Sequence, residues 1–156
     1  MRLVNHERHA MDLRTTPVHL GVGSRAKPVE GFTWDSQMLQ AYSVADAADG
    51  AEGRMVMLFD GDGLGDHWES HPAGDELVVG LSGPVTVTRD VDGVPDRVLL
   101  GPGGATISPA RVWHVVDMEG PTSILAITAT PSTNHRPRTD TRPAAGVGTP
   151  SPEEAS

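Results

Sequence analysis

Three side chains able to bind a metal or move a proton stand two residues apart in His67-Trp68-Glu69-Ser70-His71. On a strand, His67, Glu69 and His71 share one face, because strand side chains alternate. The turn-forming Pro72-Ala73-Gly74 follows. Asp75-Glu76 then opens an apolar run, Leu77 to Leu81, which stops at Ser82-Gly83. A carboxylate thus lies just across a turn from a histidine. Imidazole and carboxylate on neighbouring strands are a donor set for a divalent metal.

This stretch resembles the first motif of the cupin superfamily, in which His-x-His is followed at fixed spacing by Glu and then Gly. His71, Glu76 and Gly83 fall at the second-His, Glu and Gly positions. Glu69 stands at the first-His position. Gly103 to His114 is similar to the second cupin motif, with Gly103, Pro109 and His114 matching; Arg111 stands where that motif has Gly, and Met118 where it has Asn. The two motifs occupy residues 67–118, about a third of the chain.

The resemblance implies an all-β jelly-roll barrel, the cupin double-stranded β-helix, with a site inside it. It implies His71, Glu76 and His114 as metal ligands. Two imidazoles and a carboxylate leave positions open on an octahedral ion, as in non-haem iron oxygenases. The same set accepts Fe, Mn, Zn or Ni, so the ion is a divalent metal of unspecified identity. Glu69 is expected to face inward beside His71, either as a further oxygen ligand or as a catalytic general base. His67 has the same parity but lies ~6–7 Å further along the strand. It is expected at the barrel mouth, as a substrate or outer contact. Arg111, in the turn before His114, is a second candidate for substrate contact, against an exposed turn residue. Trp68 and Trp113 have the opposite parity and are expected to pack on the outer face or at a homodimer interface.

The family implies dioxygenases, isomerases or epimerases, decarboxylases and cyclases acting on a small oxygen-rich substrate. Two other classes stay open: a barrel that holds or senses a small ligand without turnover, and a metal-free structural barrel. Metal content separates the last from the others, and turnover separates the first two.

The chain has 156 residues, enough for one domain with a substantial core. A net charge of −9 argues against nucleic acid and anionic membrane surfaces as partners. The absence of cysteine excludes disulfides and thiolate sites. The first thirty residues lack the apolar core of a signal peptide. No apolar run approaches the ~20 residues of a membrane span. A cytoplasmic protein with a small-molecule partner is the expectation.

Elements must now carry those side chains. Residues 1–16 are polar and read as a flexible arm, with His6 and His9 as surface histidines. The barrel is expected over 17–131. Val18 to Val22 forms a first strand, and 27–32 a connection. Asp35 caps a short N-terminal helix over 36–48, with Met38, Leu39, Tyr42 and Ala45 at helical spacing. Arg54 to Phe59 is a strand with Met55, Met57 and Phe59 on one face. Asp60 to Gly63 is a turn with solvated acids. Val85 to Thr88 and Arg97 to Leu100 form a hairpin around Asp92-Gly93. Gly101-Pro102-Gly103-Gly104 is a tight turn, since it lacks the Lys-Ser/Thr and the helix of a phosphate loop. Ala105 to Ser108, Trp113 to Asp117 and Ser123 to Thr130 complete about eight strands. Residues 132–156 are poor in apolar side chains and read as a disordered Pro/Ser/Thr-rich tail.

Overall fold

The computed structural model describes residues 10–139. Within them lie β1 (Val18–Gly21), β2 (Arg25–Pro28), α1 (Ser36–Ala45), a 3₁₀ turn (Ala47–Glu52), β3 (Arg54–Gly63), β4 (His67–Ser70), β5 (Glu76–Ser82), β6 (Val85–Val91), β7 (Val94–Leu100), β8 (Ala105–Ser108), β9 (His114–Ala129) and β10 (Asn134–Pro137). The expected all-β jelly roll with one short N-terminal helix is what forms. The histidines at 6 and 9 lie outside the described residues.

Strand β9 organises the barrel. Its first half lies between β4 and β6, with His114 opposite Glu69 and Arg89. Its second half lies between β3 and β5, with Ile127 opposite Val56 and Leu77. One layer therefore runs β7-β6-β9-β4-β10 and the other β2-β1-β3-β9-β5-β8, every pairing antiparallel. The sequence predicts two strands here, split at Gly120-Pro121. The structure instead carries one strand through that point, with Gly120 in the left-handed region at φ 95°. Sharing one strand between both layers folds the sheet back on itself.

Between the layers, Val78, Val85, Val87, Leu100 and Ile124 form the buried apolar cluster. Each such side chain contributes ~1.5–3 kcal/mol through removal from water. The hairpin β6–β7 turns through Asp92-Gly93, both left-handed at φ 54° and 81°, with Val91 opposite Val94. This is the two-residue turn whose twist matches the strands. Asp35 caps α1 as expected, its carboxylate accepting from the Met38 N–H at 2.9 Å. The helix stops at Ala45, and the 3₁₀ turn takes over from Ala47. The 101–104 segment is a turn whose amides are engaged: Gly103 N–H donates to Gly80 O at 2.8 Å and Gly104 N–H to Gly101 O at 2.9 Å.

Three expectations are corrected. Residues 12–16 are not a free arm. Thr16 N–H donates to Asp12 O at 2.8 Å, Leu58 N–H donates to Leu13 O at 3.2 Å, and Arg14 pairs with Asp60 at 2.6 Å. Asp60 is exposed, as expected, but it is not a turn residue; it sits in β3 and also accepts from Ser123 Oγ at 2.5 Å. The tail does not begin at 132. Residues 134–137 form β10, an edge strand on β4, with His135 opposite Glu69 and Arg136 opposite Trp68. A proline in this strand is tolerated because only one of its edges is paired.

Candidate metal centre

The two sequence stretches converge. Strand β4 delivers Glu69, and the chain just beyond its end delivers His71. Glu76 opens β5 and His114 opens β9. His71, Glu76 and His114 are buried, at 3%, 6% and 2% exposure. His71 Nε2 lies 3.3 Å from Glu76 Oε1, and His114 Nε2 lies 2.7 Å from Glu76 Oε2. Glu69 is half-exposed and completes a group with His71 and His114 whose ligand-type atoms fall within 4.8 Å of one another. Motif one and motif two thus meet inside a folded-over antiparallel sheet.

The fold is cupin-like. No family model matches the chain, and no curated protein matches it. Among solved structures, it is similar to a cupin-2 domain protein from Shewanella frigidimarina, 18% identical over 49% of this chain and 70% of that one, TM-score 0.43. It is also similar to a cupin superfamily protein from Desulfitobacterium hafniense, 26% identical over 49% of this chain and 66% of that one, TM-score 0.42. A hydroquinone 1,2-dioxygenase from Sphingomonas sp. is 17% identical over 51% of this chain and 60% of that one, TM-score 0.42. The strand pairing by itself shows an all-β antiparallel fold in which the two motif stretches converge.

The hydrogen bonds of the cupin site fix how its imidazoles are held. His114 Nδ1 lies 3.2 Å from the Val112 carbonyl, which only accepts, so Nδ1 carries the proton. In the neutral ring, Nε2 is then a bare lone pair. It faces the Glu76 carboxylate, which is also an acceptor. His71 Nδ1 lies 3.1 Å from Thr133 Oγ1. Both Nε2 atoms are buried and neither makes a hydrogen bond. Buried polar atoms without partners are rare and call for an occupant. The His114 lone pair facing a carboxylate is relieved by a proton or by a metal cation, and with the unpartnered His71 Nε2 beside it these residues fit a divalent ion.

The electrostatics agree. Burial alone pushes the Glu76 carboxyl up, but His114 and His71 outweigh it and hold it down to about 2. Burial pushes His114 down, yet the adjacent Glu76 carboxylate prevails and raises it above the ordinary histidine range. Thr128 Oγ1 donates to Glu76 Oε1 at 2.8 Å and orients the carboxylate. Such outer hydrogen bonds are what hold metal-ligating groups in place.

The group opens into a cavity of about 760 Å³, walled on its apolar side by Met55, Met57, Phe59, Val78, Met118 and Ile124. The shared face expected for Met55, Met57 and Phe59 is this wall. Met118, at the motif position where the family has Asn, adds to it.

His67 is exposed at the cavity edge, its Nδ1 on the Asp66 carboxylate and its Nε2 3.1 Å from Glu69 Oε1. Burial lowers its pKa, but the two carboxylates outweigh that and raise it. Arg111 does not reach the cavity. It is exposed in the turn, and its contribution is backbone: its N–H donates to His71 O at 3.1 Å. Its φ of 67° explains why glycine suits this motif position. Trp68 and Trp113 do lie on the outer face, but what covers them is the Arg136 guanidinium of β10, 5.2 Å and 4.6 Å from the two rings.

Sequence reasoning missed Thr133, His135 and Thr128. The first two lay in the segment assigned to the tail. The available signal was period two: Thr133 and His135 share one parity, Arg136 and Arg138 the other.

Proposed function

We propose that this chain is a metal-dependent cupin enzyme in which His71, Glu76 and His114, with Glu69, hold one divalent ion inside the barrel. The observation that carries this reading is the pair of buried imidazole Nε2 atoms facing a carboxylate without hydrogen bonds. The ion supplies Lewis acidity toward a carbonyl or enediol oxygen of the substrate. His71 and His114 serve as neutral nitrogen donors, the His114 tautomer set by the Val112 carbonyl and the His71 ring held by its hydrogen bond with Thr133. Glu76 supplies the anionic donor, kept ionised by its imidazole neighbours and oriented by Thr128. Glu69, less buried than Glu76 and next to the cavity, supplies the further oxygen donor. Met55, Met57 and Phe59 fit a substrate with an apolar body and an oxygen-bearing end, and they exclude water from that body.

Metal analysis of the purified protein, followed by oxygen uptake with small oxygen-rich substrates, tests this. Stoichiometric iron with oxygen consumption supports a dioxygenase. Zinc or manganese with turnover but no oxygen uptake supports an isomerase or cyclase. Metal with ligand binding but no turnover returns the protein to the sensor class. A protein that purifies without metal and takes none up overturns the reading.

A further inference from the structure

A second group of ligand-type side chains stands at the cavity edge, apart from the buried set. Strand β4 projects His67 and Glu69, and β10 brings His135 opposite Glu69. Both imidazoles converge on one oxygen: His67 Nε2 lies 3.1 Å and His135 Nε2 3.5 Å from Glu69 Oε1. The two rings stand edge to face, with centroids 5.0 Å apart. One ligand-type atom from each of the three residues falls within 4.8 Å of the others.

The far side of His67 supplies an independent observation. Its Nδ1 is held by the Asp66 carboxylate, which turns Nε2 toward Glu69. A carboxylate behind a histidine, fixing its tautomer and aiming the other nitrogen at a shared point, is the outer-shell arrangement of metal-ligating histidines. Glu69 belongs to both groups, since it also completes the set with His71 and His114.

We propose that His67, Glu69 and His135 form a second divalent-cation site, with Glu69 as the carboxylate shared between an outer and an inner ion. Two imidazoles and one carboxylate select zinc, cobalt or nickel over magnesium or calcium, which prefer all-oxygen sets. The outer group is exposed, with His67 at 43% and His135 at 54%, so its ion exchanges with solvent and binds more weakly than the inner one. The sharing of Glu69 rests on the metal reading of the inner site; the outer group stands on its own contacts.

The test is a Zn²⁺ titration of the metal-stripped full chain, read as stoichiometry by calorimetry and by metal content after dialysis. The wild type takes two equivalents, one tight and one weak. His135→Ala, at an exposed position with little effect on folding, keeps the tight equivalent and loses the weak one, its affinity falling more than ~100-fold. His67→Ala does the same. His114→Ala loses the tight equivalent and keeps the weak one. If the wild type takes a single equivalent that His114→Ala abolishes and His135→Ala does not, the outer cluster is only a hydrogen-bonded surface group and the proposal is overturned. Two equivalents persisting unchanged in both His67→Ala and His135→Ala overturn it equally. A single equivalent lost in His135→Ala but kept in His114→Ala upholds the outer site and removes the inner one.

Discussion

Buried histidines face carboxylates at two places among the described residues of this barrel, and the surroundings of the two places differ in one respect. His19, in β1, is fully buried. Its Nδ1 meets Tyr42 Oη at 2.6 Å and its Nε2 meets Asp49 Oδ2 at 2.8 Å. Both ring nitrogens are satisfied. The adjacent acids are also neutralised, Asp49 by Arg25 and Asp46 by Lys27 at 2.7 Å. His19 holds the Asp49 carboxyl below its ordinary range, with Arg25 adding to this. At His114 no Lys or Arg enters among the described residues. The positive charge there comes from a protonated imidazole or, on the proposed reading, from a metal. The same residue types thus make a closed structural network in one place and, on the proposed reading, a metal-ligand set in the other. What separates them is whether the chain supplies its own positive charge, not burial or proximity.

That contrast breaks first at His114. His114→Ala should weaken inner-metal affinity by more than ~100-fold, the upper end of what loss of a mere outer-shell partner costs. Chelator competition measures it. His19→Ala should do the opposite: lower stability by ~2–4 kcal/mol, through a cavity and two lost hydrogen bonds, while metal affinity holds. Denaturant unfolding checks the first part and chelator competition the second.

A pH series sharpens the comparison. Glu76 is depressed to about 2, so its stabilising contribution is present above the ordinary carboxyl range and is lost as pH falls toward that value. His114 is raised, so in the metal-stripped protein its contribution is full below the ordinary histidine range and is lost as pH rises through its raised value. Metal must expel this proton. As pH falls, affinity should therefore drop by up to about tenfold per pH unit, the drop setting in while the pH is still above ~6.5. Metal affinity flat between pH 8 and pH 6 would count against a histidine site.

Smaller effects test the segment that closes the cavity. Arg136→Ala removes the guanidinium over Trp68 and Trp113 and should lower stability by ~1–2 kcal/mol, seen in urea unfolding. Stability unchanged by this substitution would mean that β10 lies on the sheet without supporting it. Arg111→Gly relieves a left-handed non-glycine backbone and should leave stability the same or raise it by up to ~1 kcal/mol, with metal affinity unaltered.

Much of the barrel was legible because its signals are local. Asp35 announces a cap, Asp92-Gly93 a hairpin turn, and the spacing of His71, Glu76, Gly83 and His114 the motifs. The strand around Gly120 was not, because a dip in hydropathy looks the same for a bend and for a break. The segment 133–138 was illegible for a different reason. It buries little of its own surface and is ordered by what it meets: Arg136 on two indoles and on Asp90, and Arg138 on Asp117 at 2.6 Å. Composition registers apolar content, and this strand docks through guanidinium groups. The same blindness hid Thr133 and His135. Arg111 is the exposed turn residue weighed beside substrate contact, and its backbone N–H on His71 is what its position uses.

The central claim, that the inner group takes a metal cation while Arg25 and Lys27 neutralise the acids beside His19, is tested most directly by thermal unfolding of metal-stripped protein with and without excess Zn²⁺. Ligand at ~1,000 times its dissociation constant stabilises by ~4 kcal/mol. The wild type and His19→Ala, each against its own metal-free baseline, should gain that much, and His114→Ala only the smaller increment of the weak outer site. An equal gain in His114→Ala and the wild type, or a gain lost in His19→Ala instead, would contradict the account.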